Sequence, residues 1–153
     1  MPSSRPLPTV IGPTENALRA LLIRILSTTP IKTYSAWVIL NAASTAQAPA
    51  SSGRWQDAVA DALKVEPGQV DEVLGTLCDA GLVDNDGSLT DGGAAELAIA
   101  RSTVLATTSR LTDGLSEEAQ ATARLVLDHI RGKAEAFLGD AQPSMCSNRP
   151  VAV

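Results

Sequence analysis

Aromatic residues are the scarcest component of this chain, and their scarcity limits the folds that it can adopt. One Phe, one Tyr and two Trp occur among 153 residues, or 3%, whereas hydrophobic residues as a whole make up 44%. The core must therefore be built mainly from Leu, Val, Ile and Ala, which favours helices over a β-sandwich. The length fits a single globular domain that can bury a core of its own.

The chain is acidic overall, with a formal net charge of -5 at pH 7, so it has no general basic field to attract nucleic acid or an anionic membrane. The longest strongly apolar run, 17–26, contains Arg19 and Arg24 and is much shorter than the roughly 20 residues of a membrane span. The N-terminus lacks the continuous apolar segment of a secretory signal. Cys78 and Cys146 do not form a disulfide framework pattern. We expect a cytoplasmic protein that does not contact a membrane.

Apolar spacing and capping residues predict the first helices. After a flexible N-terminal arm over 1–13, a helix is expected over 14–27, and it is apolar nearly all round. Such a helix is typically buried on two sides, against its own core and against a partner subunit. A second helix is expected over 33–43, followed by a loop over 44–53.

The segment 54–90 has the pattern of a winged helix-turn-helix. Helices over 54–63 and 68–80 are separated by a tight turn, and Gly81 is expected to end the second of them. Residues 84–87 then have the composition of the turn of a small β-hairpin, the wing. The predicted fold class is therefore mainly α with a small β-hairpin wing.

Two long helices are expected after the wing, over 91–112 and 116–139, with a flexible C-terminal tail over 140–153. Together with the helix over 14–27, the segment 91–139 is predicted to supply long dimerisation helices. The last helix repeats apolar residues at alternating spacings of four and three, which is typical of a seam that packs on another helix. The seam consists of Ala123, Leu127, Ile130, Ala134 and Phe137.

Three segments in this order resemble the multiple-antibiotic-resistance regulator (MarR) family. They are VEPGQVDEVLGTLCDAGLV (65–83), SLTDGGAAELAIAR (88–101) and LTDGLSEEAQATARLVLDHI (111–130), and the resemblance covers 14–139. It implies a homodimer in which the first and last helices intertwine and the winged helices contact duplex DNA. It also implies that small phenolic or aromatic ligands bind between the two lobes, and hence a regulator of transcription that responds to such a ligand.

The charge of the DNA-facing segment departs from this family. Between 54 and 90 there are eight carboxylates and only two cations, Arg54 and Lys64, a net charge of -6. Phosphate contacts supply most of the affinity for DNA and require local cations, but the predicted wing, DNDGS, contains neither Arg nor Lys. The predicted DNA-binding residues are Arg54, Lys64, Gln69 and Thr76, with Arg5 as a further cation on the N-terminal arm. Gln69 is suited to hydrogen-bond adenine.

This departure supports an alternative hypothesis. A MarR-like dimer that has lost DNA binding would be repurposed for small-molecule binding, partner binding or catalysis. The predicted ligand site includes three of the four aromatic residues and nearby polar groups, namely Arg24, Tyr34, Trp37, Trp55, Thr108 and Arg110. The aromatic residues also fit a simpler interpretation, in which they fill the core between the lobes.

Residues suited to catalysis are few. His129 is the only histidine, so one subunit cannot build a histidine-rich metal site, and we expect His129 at an ordinary surface or interface position. Cys78 is expected to pack as a small side chain rather than to act as a redox sensor. No glycine motif for nucleotide binding occurs. The sequence therefore predicts no metal and no cofactor, and it favours a protein that is not an enzyme.

Overall fold

The computed structural model describes residues 5–45 and 54–140. The predicted tail beyond 140, Cys146 and most of the predicted loop over 44–53 lie outside these ranges. The chain divides into two compact units, Met1–Thr108 and Ser109–Val153. The described residues form these elements in chain order: α1 (Leu7–Leu26), α2 (Tyr34–Thr45), α3 (Trp55–Leu63), α4 (Pro67–Asp79), α5 (Asp91–Thr108), a 3₁₀ helix (Ser109–Thr112) and α6 (Glu117–Asp140).

The mainly helical class is confirmed, but α1 corrects the predicted N-terminal boundary. This helix begins at Leu7 rather than at Thr14, so the predicted arm over 1–13 is helical from residue 7 onward. The prolines of this segment do not prevent the helix. Pro8 lies in the first turn, where an amide hydrogen has no partner within the helix. Pro13 lies inside the helix, where its missing amide removes one hydrogen bond.

The core of the first unit is formed by aliphatic side chains. α2 packs against α3, α4 and α5, and α1 packs against α2 and α5. Along the described residues, none of the buried side chains is polar or charged. The aliphatic core that the composition predicts is therefore what the structure shows. The largest fully buried side chains are Leu26, Ile31, Ile39, Leu40, Val70 and Leu97.

The wing is a tight turn closed by a single β-bridge. Asp84 Oδ1 accepts hydrogen bonds from the amides of Asp86 at 2.9 Å and Ser88 at 3.0 Å, and one antiparallel bridge joins Val83 to Leu89. Within 5–45 and 54–140 this bridge is the only β pairing and no strand is formed. The turn of the predicted wing is present, but the predicted β-hairpin is not confirmed. The returning segment is short because α5 starts only two residues after Leu89.

Thr90 and Gly93 connect α5 to Gly81 and Leu82, the residues before the wing turn that form the base of the wing. The hydroxyl of Thr90 donates to the carbonyl of Gly81 at 2.7 Å and accepts from the amide of Gly93 at 2.9 Å. Gly93 is buried against the backbone of Leu82, and a Cβ at this position would lie 2.8 Å from the Leu82 carbonyl carbon. Only glycine therefore fits at position 93.

α6 forms most of the second unit and has no buried residue. Two residues of its predicted seam, Leu127 and Phe137, are 48% and 72% exposed, and His129 is exposed as well. None of the helices in the described part of the chain has the length and hydropathy to cross a membrane.

Candidate nucleic-acid interface

α3 and α4 form a helix-turn-helix whose turn depends on one unusual backbone conformation. Lys64, the C-cap of α3, has φ of 54° in the left-handed region, and Val65 donates its amide to the carbonyl of Ala60 at 3.0 Å. α4 then buries Val70 and Leu77. Its other side is open to solvent and forms the candidate interface, with Gln69, Asp71, Glu72, Gly75 and Thr76 all exposed.

Two predicted DNA-contacting residues, Gln69 and Thr76, lie on this exposed side of α4. Each already makes a local hydrogen bond. Gln69 Oε1 accepts from the amide of Glu66 at 3.2 Å as part of a capping box, and the Thr76 hydroxyl donates to the carbonyl of Glu72 at 3.2 Å. A base contact by Gln69 would therefore use its Nε2 donors and the remaining lone pair of Oε1.

The two predicted phosphate-binding cations are both exposed, and both form ion pairs with carboxylates of the same segment. Arg54 Nη2 lies 3.0 Å from Asp71 Oδ1, and Lys64 Nζ lies 3.1 Å from Asp61 Oδ1. Neither pair was predicted from the sequence. The first joins residues 17 positions apart, and no rule of helical spacing indicates it. The second has the spacing of three that is common on helices.

A cleft of about 330 Å³ separates α4 from the wing. Its lining includes Arg54, Asp71 and Leu74 on one side and Asp84 and Asp86 on the other. Three of the eight carboxylates of the segment 54–90, Asp71, Asp84 and Asp86, therefore line this cleft together with Arg54.

Trp55, a predicted ligand residue, lies beside the wing. Its Cζ2 atom is 3.5 Å from the position that a Cβ would take at Gly87, whose φ is +80°. Cys78 is half-buried, and its thiol donates to Asn85 Oδ1 of the wing at 3.4 Å. Trp55 and Cys78 therefore help to support the wing.

The other predicted ligand residues occupy several places. Tyr34 and Trp37 are half-buried on α2, and the guanidinium carbon of Arg19 lies 4.9 Å from the centre of the Tyr34 ring. Arg24 is exposed in the last turn of α1. Thr108 ends α5 and donates its hydroxyl to the carbonyl of Val104 at 2.9 Å. Arg110 belongs to the 3₁₀ helix of the second unit.

Two further features were not indicated by the sequence. A cleft of about 210 Å³ lies between α2 and α4, with Ser35, Ile39 and Val73 among its lining residues. In addition, Arg101 of α5 donates to Asn41 Oδ1 at 2.8 Å and to Ser44 Oγ at 2.7 Å, which ties α5 to the end of α2. These contacts join residues 57 and 60 positions apart, a separation at which residue patterns give no signal.

α3, α4 and the wing define a winged helix-turn-helix protein. No model of a sequence family matches the chain, and no curated protein matches it in sequence. Solved structures do match. A MarR-family transcriptional regulator from Rhodococcus sp. RHA1 is 21% identical with a TM-score of 0.67, over 85% of this chain and 98% of that one.

The MarR-family protein Rv2887 of Mycobacterium tuberculosis is similar in two complexes. With DNA, the identity is 26% and the TM-score 0.64, over 83% of this chain and 98% of that one. With salicylic acid, the identity is 27% and the TM-score 0.61, over 82% of this chain and 98% of that one. The chain therefore has the winged-helix fold of the MarR-family transcriptional regulators, and the resemblance indicated by its sequence motifs is confirmed.

Proposed function

We propose that this chain is a cytoplasmic, homodimeric regulator of transcription that binds duplex DNA through α4 and the adjoining wing. The observation that carries this proposal is the similarity to DNA-bound Rv2887 over 83% of the chain. The exposed side of α4 supports it, because Gln69 and Thr76 offer hydrogen-bonding groups there.

Exposed apolar side chains on two helices support the homodimer. On α1, Leu7 and Leu18 are each 48% exposed, and on α6, Leu127 and Phe137 are 48% and 72% exposed. Burial of apolar surface is the main favourable contribution to most protein–protein association, so each of these helices offers apolar surface for a second copy to bury. Sedimentation of the purified chain tests this part of the proposal, and a monomer at micromolar concentration would contradict it.

DNA binding is tested by fluorescence anisotropy with duplexes that cover the DNA upstream of the chain's own gene. We expect binding that weakens steeply between about 50 and 200 mM salt, since several phosphates must be contacted. Gln69→Ala should weaken binding to the preferred duplex by about tenfold, the typical loss for one base contact. The same variant should leave binding to an unrelated duplex unchanged. Failure of the wild-type chain to bind any of these duplexes at low salt would refute the proposal.

We further propose that a small aromatic acid binds the first unit of this protein beside Tyr34 and Trp37, with Arg24 and Thr108 as candidate polar partners. The complex of Rv2887 with salicylic acid supports this ligand class. The two tryptophans provide matched probes, because Trp37 lies on α2 and Trp55 beside the wing. The Trp55→Phe variant retains Trp37, and salicylate should quench its tryptophan fluorescence. The Trp37→Phe variant retains Trp55, and its tryptophan fluorescence should not change. Quenching of Trp55 alone would move the proposed site to the wing.

A second candidate function is a dimer that no longer binds DNA and serves small-molecule binding, partner binding or catalysis. One observation favours it: both cations of the 54–90 segment are ion-paired to carboxylates in a segment of net charge -6. Salicylate binding without DNA binding, even at about 50 mM salt, would establish this alternative.

A further inference from the structure

We propose that Asp71 sets the DNA affinity of this surface by holding Arg54 in an internal ion pair, so that DNA phosphate must compete with a carboxylate for the guanidinium. The inference rests on the proposed DNA binding. It assigns a positioning role to Asp71, which acts through Arg54 and need not touch DNA itself.

The geometry of the pair supports this role. Arg54 Nη2 and Asp71 Oδ1 are 3.0 Å apart, and the two side chains are 60% and 52% exposed. Arg54 is the N-cap of α3 and Asp71 lies in the second turn of α4, so the pair bridges the two helices of the helix-turn-helix. Both residues also line the cleft between α4 and the wing. The guanidinium is thus on the surface that DNA would approach, but its charge is directed at a carboxylate.

The charge balance makes this cation important. Ten cations and nine carboxylates lie outside 54–90, so the negative charge of the whole chain comes from this segment. Arg54 and Lys64 are its only cations, and Lys64 is paired with Asp61. A phosphate contact by Arg54 is therefore one of very few that the segment can offer.

Competition between Asp71 and DNA follows from the chemistry of arginine. The guanidinium fork fits carboxylate and phosphate oxygens in the same way. The negative charge of Asp71 beside Nη2 opposes the approach of a phosphate to the same guanidinium. Exposed ion pairs are weak, and a phosphate can displace the Asp71 carboxylate. The pair should therefore lower DNA affinity without abolishing it.

The test compares two variants that remove one negative charge from neighbouring positions on α4. Asp71→Asn removes the partner of Arg54. Glu72→Gln removes an exposed carboxylate that forms no ion pair with any described residue. Each variant is also made in an Arg54→Gln background. Dissociation constants are then measured by anisotropy from about 50 to 200 mM salt.

We expect Asp71→Asn to lower the dissociation constant about 3- to 10-fold at about 50 mM salt and to change the log–log salt slope by less than about 0.9, the value for one whole phosphate contact, because Arg54 contacts phosphate in the wild-type complex as well. Glu72→Gln should give a smaller gain and leave the slope unchanged. In the Arg54→Gln background, the gain from Asp71→Asn should fall to that from Glu72→Gln, because no guanidinium remains to be released.

The outcomes separate this inference from the proposed function. If wild type binds DNA and Asp71→Asn gives the same gain with and without Arg54, the inference is overturned and DNA binding stands. If Asp71→Asn still binds DNA at a salt concentration at which wild-type binding is lost, and the Arg54→Gln background abolishes this difference, the inference is supported. If none of the proteins binds at low salt, both the inference and the proposed function are overturned. Thermal melting of Asp71→Asn within about 2 °C of wild type shows that the fold is intact.

Discussion

The substitution Gly93→Ala should destabilise the protein although alanine is the better helix former. Position 93 lies in the first turn of α5. A Cβ there would be 2.8 Å from the carbonyl carbon of Leu82 and 3.1 Å from the Cα of Leu82. It would lie closer still to the carbonyl oxygen of Leu82. These are backbone atoms, so no side-chain rotation relieves the clash. Leu82 is held in place by hydrogen bonds from its amide to Leu77 at 3.0 Å and from the Thr90 amide to its carbonyl at 3.2 Å.

The magnitude follows from three contributions. Forcing an extra methyl into a packed site costs about 1–3 kcal/mol, and breaking the hydrogen bond between Thr90 and Leu82 costs about 1 kcal/mol more. The helix propensity of alanine offsets about 1 kcal/mol of this. The net loss of about 2 kcal/mol should lower Tm by about 4–8 °C for a chain of this size.

Gly92→Ala is the matched control for this prediction. It makes the same change one residue earlier, where the nearest atom to the new Cβ, Thr90 Oγ1, is at an ordinary contact distance of 3.8 Å. Circular dichroism melts at equal protein concentration should show Gly92→Ala at or slightly above the Tm of wild type. A Gly93→Ala protein that melts at or above the wild-type Tm would refute the argument that α5 and the base of the wing are in direct backbone contact.

Three further predictions concern other parts of the fold. Gly75 lies on the exposed side of α4, where a Cβ meets no atom within 4 Å. Gly75→Ala should therefore raise the free energy of unfolding, measured by urea denaturation, by about 0.5–1 kcal/mol. A loss of stability would contradict the open geometry at this position. Thr90→Val removes the hydroxyl that bonds Gly81 and Gly93 and should cost about 1–3 kcal/mol by the same method, whereas Thr90→Ser should retain most of the stability. Phe137→Lys places a charge on the exposed seam of α6 and should shift the proposed dimer towards monomer in sedimentation experiments, and an unchanged dimer would exclude this residue from the interface.

The helix-turn-helix could be predicted from sequence because its signals are local. The predicted second helix of this motif, over 68–80, ends as expected: α4 stops at Asp79, and Gly81 has φ of +73°. The wing turn was indicated in the same way by the Asp-Gly pair at 86–87, and Gly87 has φ of +80°. Glycine is favoured wherever the chain needs such a conformation, so these positions are visible in a single sequence.

The start of α1 and the charge pairing could not be predicted in this way. Prolines indicate irregular structure, but a proline in the first turn of a helix costs nothing, and the sequence does not show that the helix starts as early as Leu7. The pair between Arg54 and Asp71 depends on how α3 crosses α4, which is a tertiary property. The residue composition of 54–90 determines the sign of this surface, whereas the pairing of its cations depends on the tertiary structure.

The acidic charge of the helix-turn-helix contributes little to the stability of the fold. The ion pairs found among the described residues, including those of Arg54 and Lys64, have side chains that are about half exposed or more, and such pairs typically contribute about 0–1 kcal/mol. The buried core of the described chain is entirely apolar, and the wing is fixed by hydrogen bonds of Asp84 and Thr90. Self-repulsion among eight carboxylates opposes compactness. The sign of this surface can therefore change without changing the fold, whereas any such change alters the attraction of the surface for DNA phosphates.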